Sequence, residues 1–121
     1  MKSGNIIVMK SKAFALETIK LYQHLTTEKH EFVLSKQLLR SGTSIGANIK
    51  EAIRGESKLD FYHKMAIALK EASETEYWLE LLHQTNYIDD ARYKELSNQC
   101  ATIRVMLVAS CRTAKGEKVE K

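Results

Sequence analysis

Apolar residues recur along this chain at spacings of three and four, which predicts helices almost throughout. Phe14, Thr18, Leu21 and Leu25 mark one stripe, widened by Ala15, Ile19 and Tyr22, and predict a first helix over about residues 9–25. A polar break, Thr26-Thr27-Glu28-Lys29-His30, separates it from a second helix over about 31–54 with Leu34, Leu38, Ile45, Ile49 and Ala52 inward. Gly55 follows, where glycine commonly ends a helix. Ser57-Lys58-Leu59-Asp60 resembles a capping box and opens a third helix over about 57–86. Its inward stripe is Phe61, Met65, Ala68, Ala72, Thr75, Leu79 and Leu82, along roughly 45 Å. After Asn86-Tyr87-Ile88-Asp89, capped by Asp89 or Asp90, a fourth helix over about 89–113 carries Leu96, Cys100, Ile103, Leu107 and Cys111. The charged tail, 115–121, is expected to fray.

Four helices joined by short breaks pack as antiparallel neighbours, so the fold expected over residues 1–121 is a single all-α domain, an antiparallel up-and-down four-helix bundle. If the turn between the second and third helices centres near residues 55 and 56, facing positions sum to about 111. Gly42 and Gly46 then meet Ala68, Ala66 and Met65 of the third helix, and Arg40 falls opposite Glu71 as an ion pair. The third and fourth helices are apolar around too much of their circumference for one seam. Tyr62, Ala66, Ile67, Leu69, Tyr77 and Trp78 add to the third, and Val105-Met106-Leu107-Val108-Ala109 runs through the fourth. Such helices are covered on more than one side, here by another subunit.

Composition agrees with helices. Proline is absent and glycine occurs five times in 121 residues, too little punctuation for a small β-sandwich or barrel. Apolar residues make up 44% and charged residues 28%, which excludes a disordered chain. Cys100 and Cys111 stand about 16 Å apart on one helix, too far to bridge, and are expected as small packing residues in a reducing compartment. The apolar run Ile6-Ile7-Val8-Met9 is too short to span a bilayer and no leader cleavage site is visible, so a cytoplasmic protein is expected.

No catalytic constellation emerges, and neither metal nor cofactor is expected. Glu80-Leu81-Leu82-His83 has the spacing of di-iron bundles, and Asp60-Phe61-Tyr62-His63 echoes it, but both lie on one helix twenty residues apart. With Leu79 and Leu82 inward, Glu80 and His83 turn to solvent; His24 and His30 are expected exposed as well. Gly42-Thr43-Ser44-Ile45-Gly46 lacks the Gly-Lys-Ser/Thr ending of a phosphate loop and is read as a small-residue packing motif. Glu71, Glu74, Glu76 and Glu80 spread over several faces as solvated charge. Asn48 and Glu51, one turn apart and partly buried, are expected to bond to backbone or to Arg54 or Lys64, with ligand binding as the alternative.

Charge is distributed unevenly. In an up-and-down bundle one pole collects Lys50, Arg54, Lys58 and Lys64 with Lys2, Lys10, Lys12, Arg104, Arg112, Lys115, Lys118 and Lys121, against Glu51, Glu56, Asp60, Glu117 and Glu120, a balance of +7. The other pole balances at −3, within a net charge of +4. An oligomer with its subunits in one orientation would multiply the basic pole into a field that attracts polyanions. No RNA-binding signature is present. Lys50, Arg54, Lys58 and Lys64 are therefore candidate nucleic-acid contacts, and a purely structural or protein-interaction module is the alternative.

The stretch from Ser35 to Ile49, SKQLLRSGTSIGANI, resembles the 23S ribosomal RNA intervening-sequence proteins, also called four helix bundle proteins. Glu51-Ala52, Ser57, Asp60-Phe61, Ile67-Ala68-Leu69-Lys70-Glu71-Ala72, Glu74-Thr75 and Tyr77-Trp78-Leu79 continue the match, as do Lys10-Ser11, Phe14-Ala15 and Leu21-Tyr22, over roughly residues 6–112. The resemblance implies an antiparallel four-helix bundle assembled as a homopentamer, with no established enzymatic activity. It extends to accessory proteins of diversity-generating retroelements, which bind nucleic acid and a reverse transcriptase. The family takes its name from genes lying inside insertions in ribosomal RNA genes. Some members read Asn-Ile-Ala-Glu-Gly and then Gly-Arg where this chain has Asn48-Ile49-Lys50-Glu51-Ala52 and then Arg54-Gly55, so no family role carries directly onto Arg54.

Overall fold

A computed structural model describes residues 2–114 and 116, and folds them into α1 (Lys2–Thr27), α2 (Leu34–Ile53), α3 (Lys58–Gln84) and α4 (Asp90–Ala114). The expected fraying of the tail falls, apart from Gly116, outside these residues. Contacts run α1 to α2, α2 to α3 and α3 to α4, with a smaller one closing α4 onto α1. This is the antiparallel up-and-down bundle.

The largest difference from the hydrophobic pattern lies at the start of α1, which begins seven residues before the expected boundary. Ile7 (3% exposed) and Ser11 (1%) extend the buried stripe ahead of Phe14. Ser11 broke the pattern because it is polar, yet its hydroxyl donates to the Val8 carbonyl at 3.1 Å and can be buried. Thr18 likewise donates to Phe14 O at 2.9 Å. Phe14, Leu21, Leu25, Leu38, Ile45, Ile49, Met65, Leu79, Leu82, Leu96, Ile103 and Leu107 are each under 2% exposed and form the centre of the core. A side chain of this size contributes roughly 1.5–3 kcal/mol when fully buried.

α2 begins at Leu34 rather than at Glu31. Glu31 precedes the helix and caps it: its carboxylate accepts from the amides of Val33 (3.1 Å), Leu34 (3.0 Å) and Ser35 (2.7 Å). Both turns at this end of the bundle use a residue with positive φ, His30 at 53° and Asn86 at 68°. After α3, Tyr87 N donates to Leu82 O and Asn86 N to His83 O, the paired bonds of a Schellman ending.

The small residues of α2 need a correction. Gly42 and Gly46 face α1, not Ala66, Ala68 and Met65 of α3. A Cβ on Gly42 would lie 2.8 Å from Thr18 Cγ2 and 2.9 Å from its Oγ1; one on Gly46 would lie 3.3 Å from Ser11 Oγ. Successive helix residues point about 100° apart, and the small residue turned to α3 is the preceding one, Ser41. Its hydroxyl lies 2.8 Å from that of Thr75, and both residues are fully buried. The register itself is as expected: Arg40 reaches Glu71 at 3.4 Å and also pairs with Glu74.

Thr75→Val should leave the Ser41 hydroxyl with only a 3.4 Å bond to Leu38 O, at a cost of about 1–2 kcal/mol. Combining it with Ser41→Ala should cost less than the two single changes together, because the double variant strands no polar group. Strict additivity in urea denaturation would show that the two hydroxyls are not coupled.

Candidate nucleic-acid interface

The turn between α2 and α3 is compact. Arg54 caps α2, its amide donating to Lys50 O at 3.3 Å, and Gly55 N donates to Ala52 O at 3.0 Å. A Cβ on Gly55 would meet Ala52 O at 3.0 Å and Asp60 Cβ at 3.2 Å, so the close approach of the two helices leaves little room for a side chain there. Ser57 sits in extended conformation and accepts from the Asp60 amide at 3.1 Å, which starts α3 as the Ser-x-x-Asp pattern predicted.

This turn brings Lys50, Arg54 and Lys64 around a shallow, open depression of about 450 Å³, also lined by Glu51, Gly55, Glu56 and Asp60. Lys58 stands outside it. Lys50, Arg54 and Lys58 are exposed. Lys64 is half-buried and paired with Glu51 at 3.1 Å. Glu51 is thus an exposed ion-pair partner rather than the partly buried group expected beside the core. Asn48 is half-buried and donates to Ser44 O at 2.8 Å, the backbone bond expected of it. Within the depression, base and acid alternate. Among the described residues, the cations of this pole that pair with no carboxylate are Lys10, Lys12, Lys50, Arg54, Lys58 and Arg112, all exposed. Arg104, counted with them from the sequence, is bound to Glu76 at 2.8 Å.

The other candidate side chains have structural occupations. Glu71 and Glu74 hold Arg40, and Glu76 holds Arg104, so three of the four clustered glutamates are ion-pair partners rather than free solvated charge. Glu80 is exposed as expected. His83 is not simply solvated: its ring stacks on Tyr93 with centroids 4.1 Å apart and planes 3° from parallel, and Nε2 lies 2.6 Å from Asp90 Oδ1. The hydrogen bond from His83, followed by its charge, holds the Asp90 carboxyl below its usual range. The Asp60/His63 and Glu80/His83 pairs are about 30 Å apart along α3 and cannot converge. Burial pushes the Cys100 thiol up to about 12, with a further upward push from Glu76 against a downward one from Arg104. No helix among the described residues is long and apolar enough to cross a membrane.

Sequence patterning missed the exposed apolar residues of α1, Ile6, Met9 and Leu16. Their spacing with Ala13 was a usable signal, but Ile6 lay before the expected start of the helix, and inside it the stripe of Phe14, Thr18, Leu21 and Leu25 was the one followed.

Four antiparallel helices around one apolar core define the class: an all-α four-helix-bundle protein. The sequence profile of the 23S rRNA-intervening sequence proteins matches residues 4–109, and the chain belongs to that family. It is also similar to a protein of unknown function from the S23 ribosomal protein family of Bacteroides thetaiotaomicron, whose crystal structure is known at 1.70 Å. The two are 49% identical over 91% of this chain and 98% of that one, with a TM-score of 0.89. None of the curated proteins matches the chain.

Proposed function

We propose that this protein is a non-enzymatic, self-associating four-helix bundle that binds RNA through the pole formed by the α2–α3 turn. The observation that carries this is the set of exposed, unpaired cations Lys50, Arg54 and Lys58 at that turn, joined at the same pole by Lys10, Lys12 and Arg112. Pairing of Arg40, Arg92 and Lys20 with carboxylates leaves the opposite pole without a comparable excess. The resemblance to assemblies of five sets the expected subunit number. Subunits sharing one orientation would present their turns together, and the summed field, rather than any one pocket, would hold the phosphates.

Fluorescence anisotropy with a labelled structured RNA tests this. Three phosphate contacts predict about a 40-fold loss of affinity between 50 and 200 mM salt. Arg54→Glu with Lys58→Glu should weaken binding at least tenfold without lowering the unfolding midpoint. Lys29→Glu with Lys36→Glu, exposed at the opposite pole, should change it little. Undetectable binding at low salt, or equal effects of the two double variants, would favour a protein-interaction module instead.

A further inference from the structure

We infer that the depression beside Gly55 reads an unpaired guanine, with Arg54 donating to the O6 and N7 edge of the base and Asp60 accepting from its N1–H and N2 amino edge. The inference rests on the RNA binding proposed above and names what that pole recognises. A field that holds phosphates gives no account of carboxylates among its cations, since each repels the backbone that the cations attract. Yet Glu51, Glu56 and Asp60 line the depression together with Lys50, Arg54 and Lys64. Lys64 neutralises Glu51 at 3.1 Å. Among the described residues, Glu56 and Asp60 pair with no cation and Arg54 pairs with no carboxylate, and all three are exposed. Opposite charges therefore stand around one hollow without closing on each other.

Gly55 lies between them. It follows Arg54 in the chain, and the place its Cβ would take is 3.2 Å from Asp60 Cβ. The floor between guanidinium and carboxylate is therefore bare backbone, open to a flat group. Asp60, rather than Glu56, is the carboxylate set on a rigid element: it belongs to the first turn of α3, where Ser57 Oγ holds its amide at 3.1 Å. The hollow, about 450 Å³, is of a size that small-molecule sites commonly have. A guanidinium offers a fork of N–H donors and a carboxylate two acceptor oxygens. A base that engages both needs adjacent acceptors on one edge and adjacent donors on the next. Guanine has O6 and N7, then N1–H and the N2 amino group. Adenine has one amino group between two ring nitrogens, cytosine one amino group beside acceptors, and uracil one N–H between two carbonyls, so none of them fills both partners. The base must be unpaired, because pairing occupies N1–H and the N2 amino group, and the deep groove of an RNA duplex does not admit side chains.

Fluorescence anisotropy on the full chain with four labelled RNA hairpins tests this. The hairpins share one stem and a uridine loop, and differ at a single loop position that holds guanine, adenine, cytosine or uracil. The guanine hairpin should bind about tenfold more tightly than the other three, the order expected of a bidentate base contact. Inosine, which lacks the N2 amino group, and 7-deazaguanine, which lacks N7, should each lose most of that advantage. Asp60→Asn gives the clearest sign. If the field alone acts, removing a negative charge tightens every hairpin alike; if Asp60 reads the base, the advantage of guanine over the other three shrinks. Arg54→Lys keeps the charge but not the fork and should shrink it as well. The two analogues alter only the RNA and decide the matter should a variant lose its helical circular dichroism. Equal binding of the four hairpins, or a guanine preference that survives both variants or both analogues, overturns the inference and leaves RNA binding standing. No binding of any hairpin at low salt overturns both.

Discussion

Gly42→Leu should destabilise the bundle by about 3 kcal/mol. The first added carbon would already overlap Thr18 Cγ2 and Oγ1 at 2.8 and 2.9 Å. Thr18 cannot swing aside: it is 1% exposed, branched at Cβ, and its hydroxyl is committed to Phe14 O. The remaining leucine carbons would then force α1 away from α2. Helix propensity favours leucine over glycine by less than about 1 kcal/mol, too little to compensate. Gly46→Ala is the contrasting case. Its Cβ would stand 3.3 Å from the Ser11 hydroxyl, which can yield by a few tenths of an ångström, and the propensity gain should leave it near neutral. Adding Thr18→Ala to Gly42→Ala removes both clashing atoms and should recover stability. Urea midpoints of the four variants decide the matter: Gly42→Leu as stable as the parent would mean that the α1–α2 contact opens freely.

Glu31→Ala should cost about 2 kcal/mol at neutral pH, because three amides at the start of α2 lose a charged acceptor together. Burial alone would raise the Glu31 carboxyl. The amides of Leu34, Ser35 and Val33, with the Ser35 side chain, outweigh it and hold the group below its ordinary value of 4.5. The folded state therefore binds this proton more weakly than the unfolded chain does. The resulting stability is complete above about pH 4.5 and is lost as pH falls through the lower, folded value. Glu31→Gln keeps one acceptor oxygen but cannot titrate. The gap in unfolding free energy between it and the parent should hold steady from neutral pH to about 4.5 and narrow below that. A gap that persists unchanged into strong acid would remove the carboxylate from the account.

Periodicity was sufficient for the four helices because apolar or small residues recur every three or four positions in each inward stripe, and the α2–α3 register followed from turn length alone, which placed Arg40 at Glu71. What failed has one physical cause. A hydrophobic pattern says which face of a helix is inward but not which neighbour each part of that face meets. Gly42 and Ser41 are both buried, about 100° apart, and only the packed structure assigns Gly42 to Thr18 and Ser41 to Thr75. Buried hydroxyls also read as surface: Ser11, bonded to its own helix, concealed the first two turns of α1. Glu31 was expected as the first residue of the second helix, whereas it caps that helix from outside. At the basic pole, exposure of Lys50, Arg54 and Lys58 was legible from their place beside the turn. The pairing of Glu51 with Lys64 was among the bonds expected of that carboxylate, whereas the neutralisation of Arg104 by Glu76 depends on side-chain reach across helices, which spacing does not encode.

The burial of Cys100 between α3 and α4 makes it a clock. Its thiol is sealed, donates to Ala72 O at 3.4 Å, and titrates at about 12. At neutral pH the nucleophilic thiolate is on the order of one molecule in 10⁵ even before access is considered. An alkylating reagent must therefore wait for α3 and α4 to part, and modification at residue 100 records how often the middle of the bundle opens. Assembly that holds these two helices together would slow that clock in proportion.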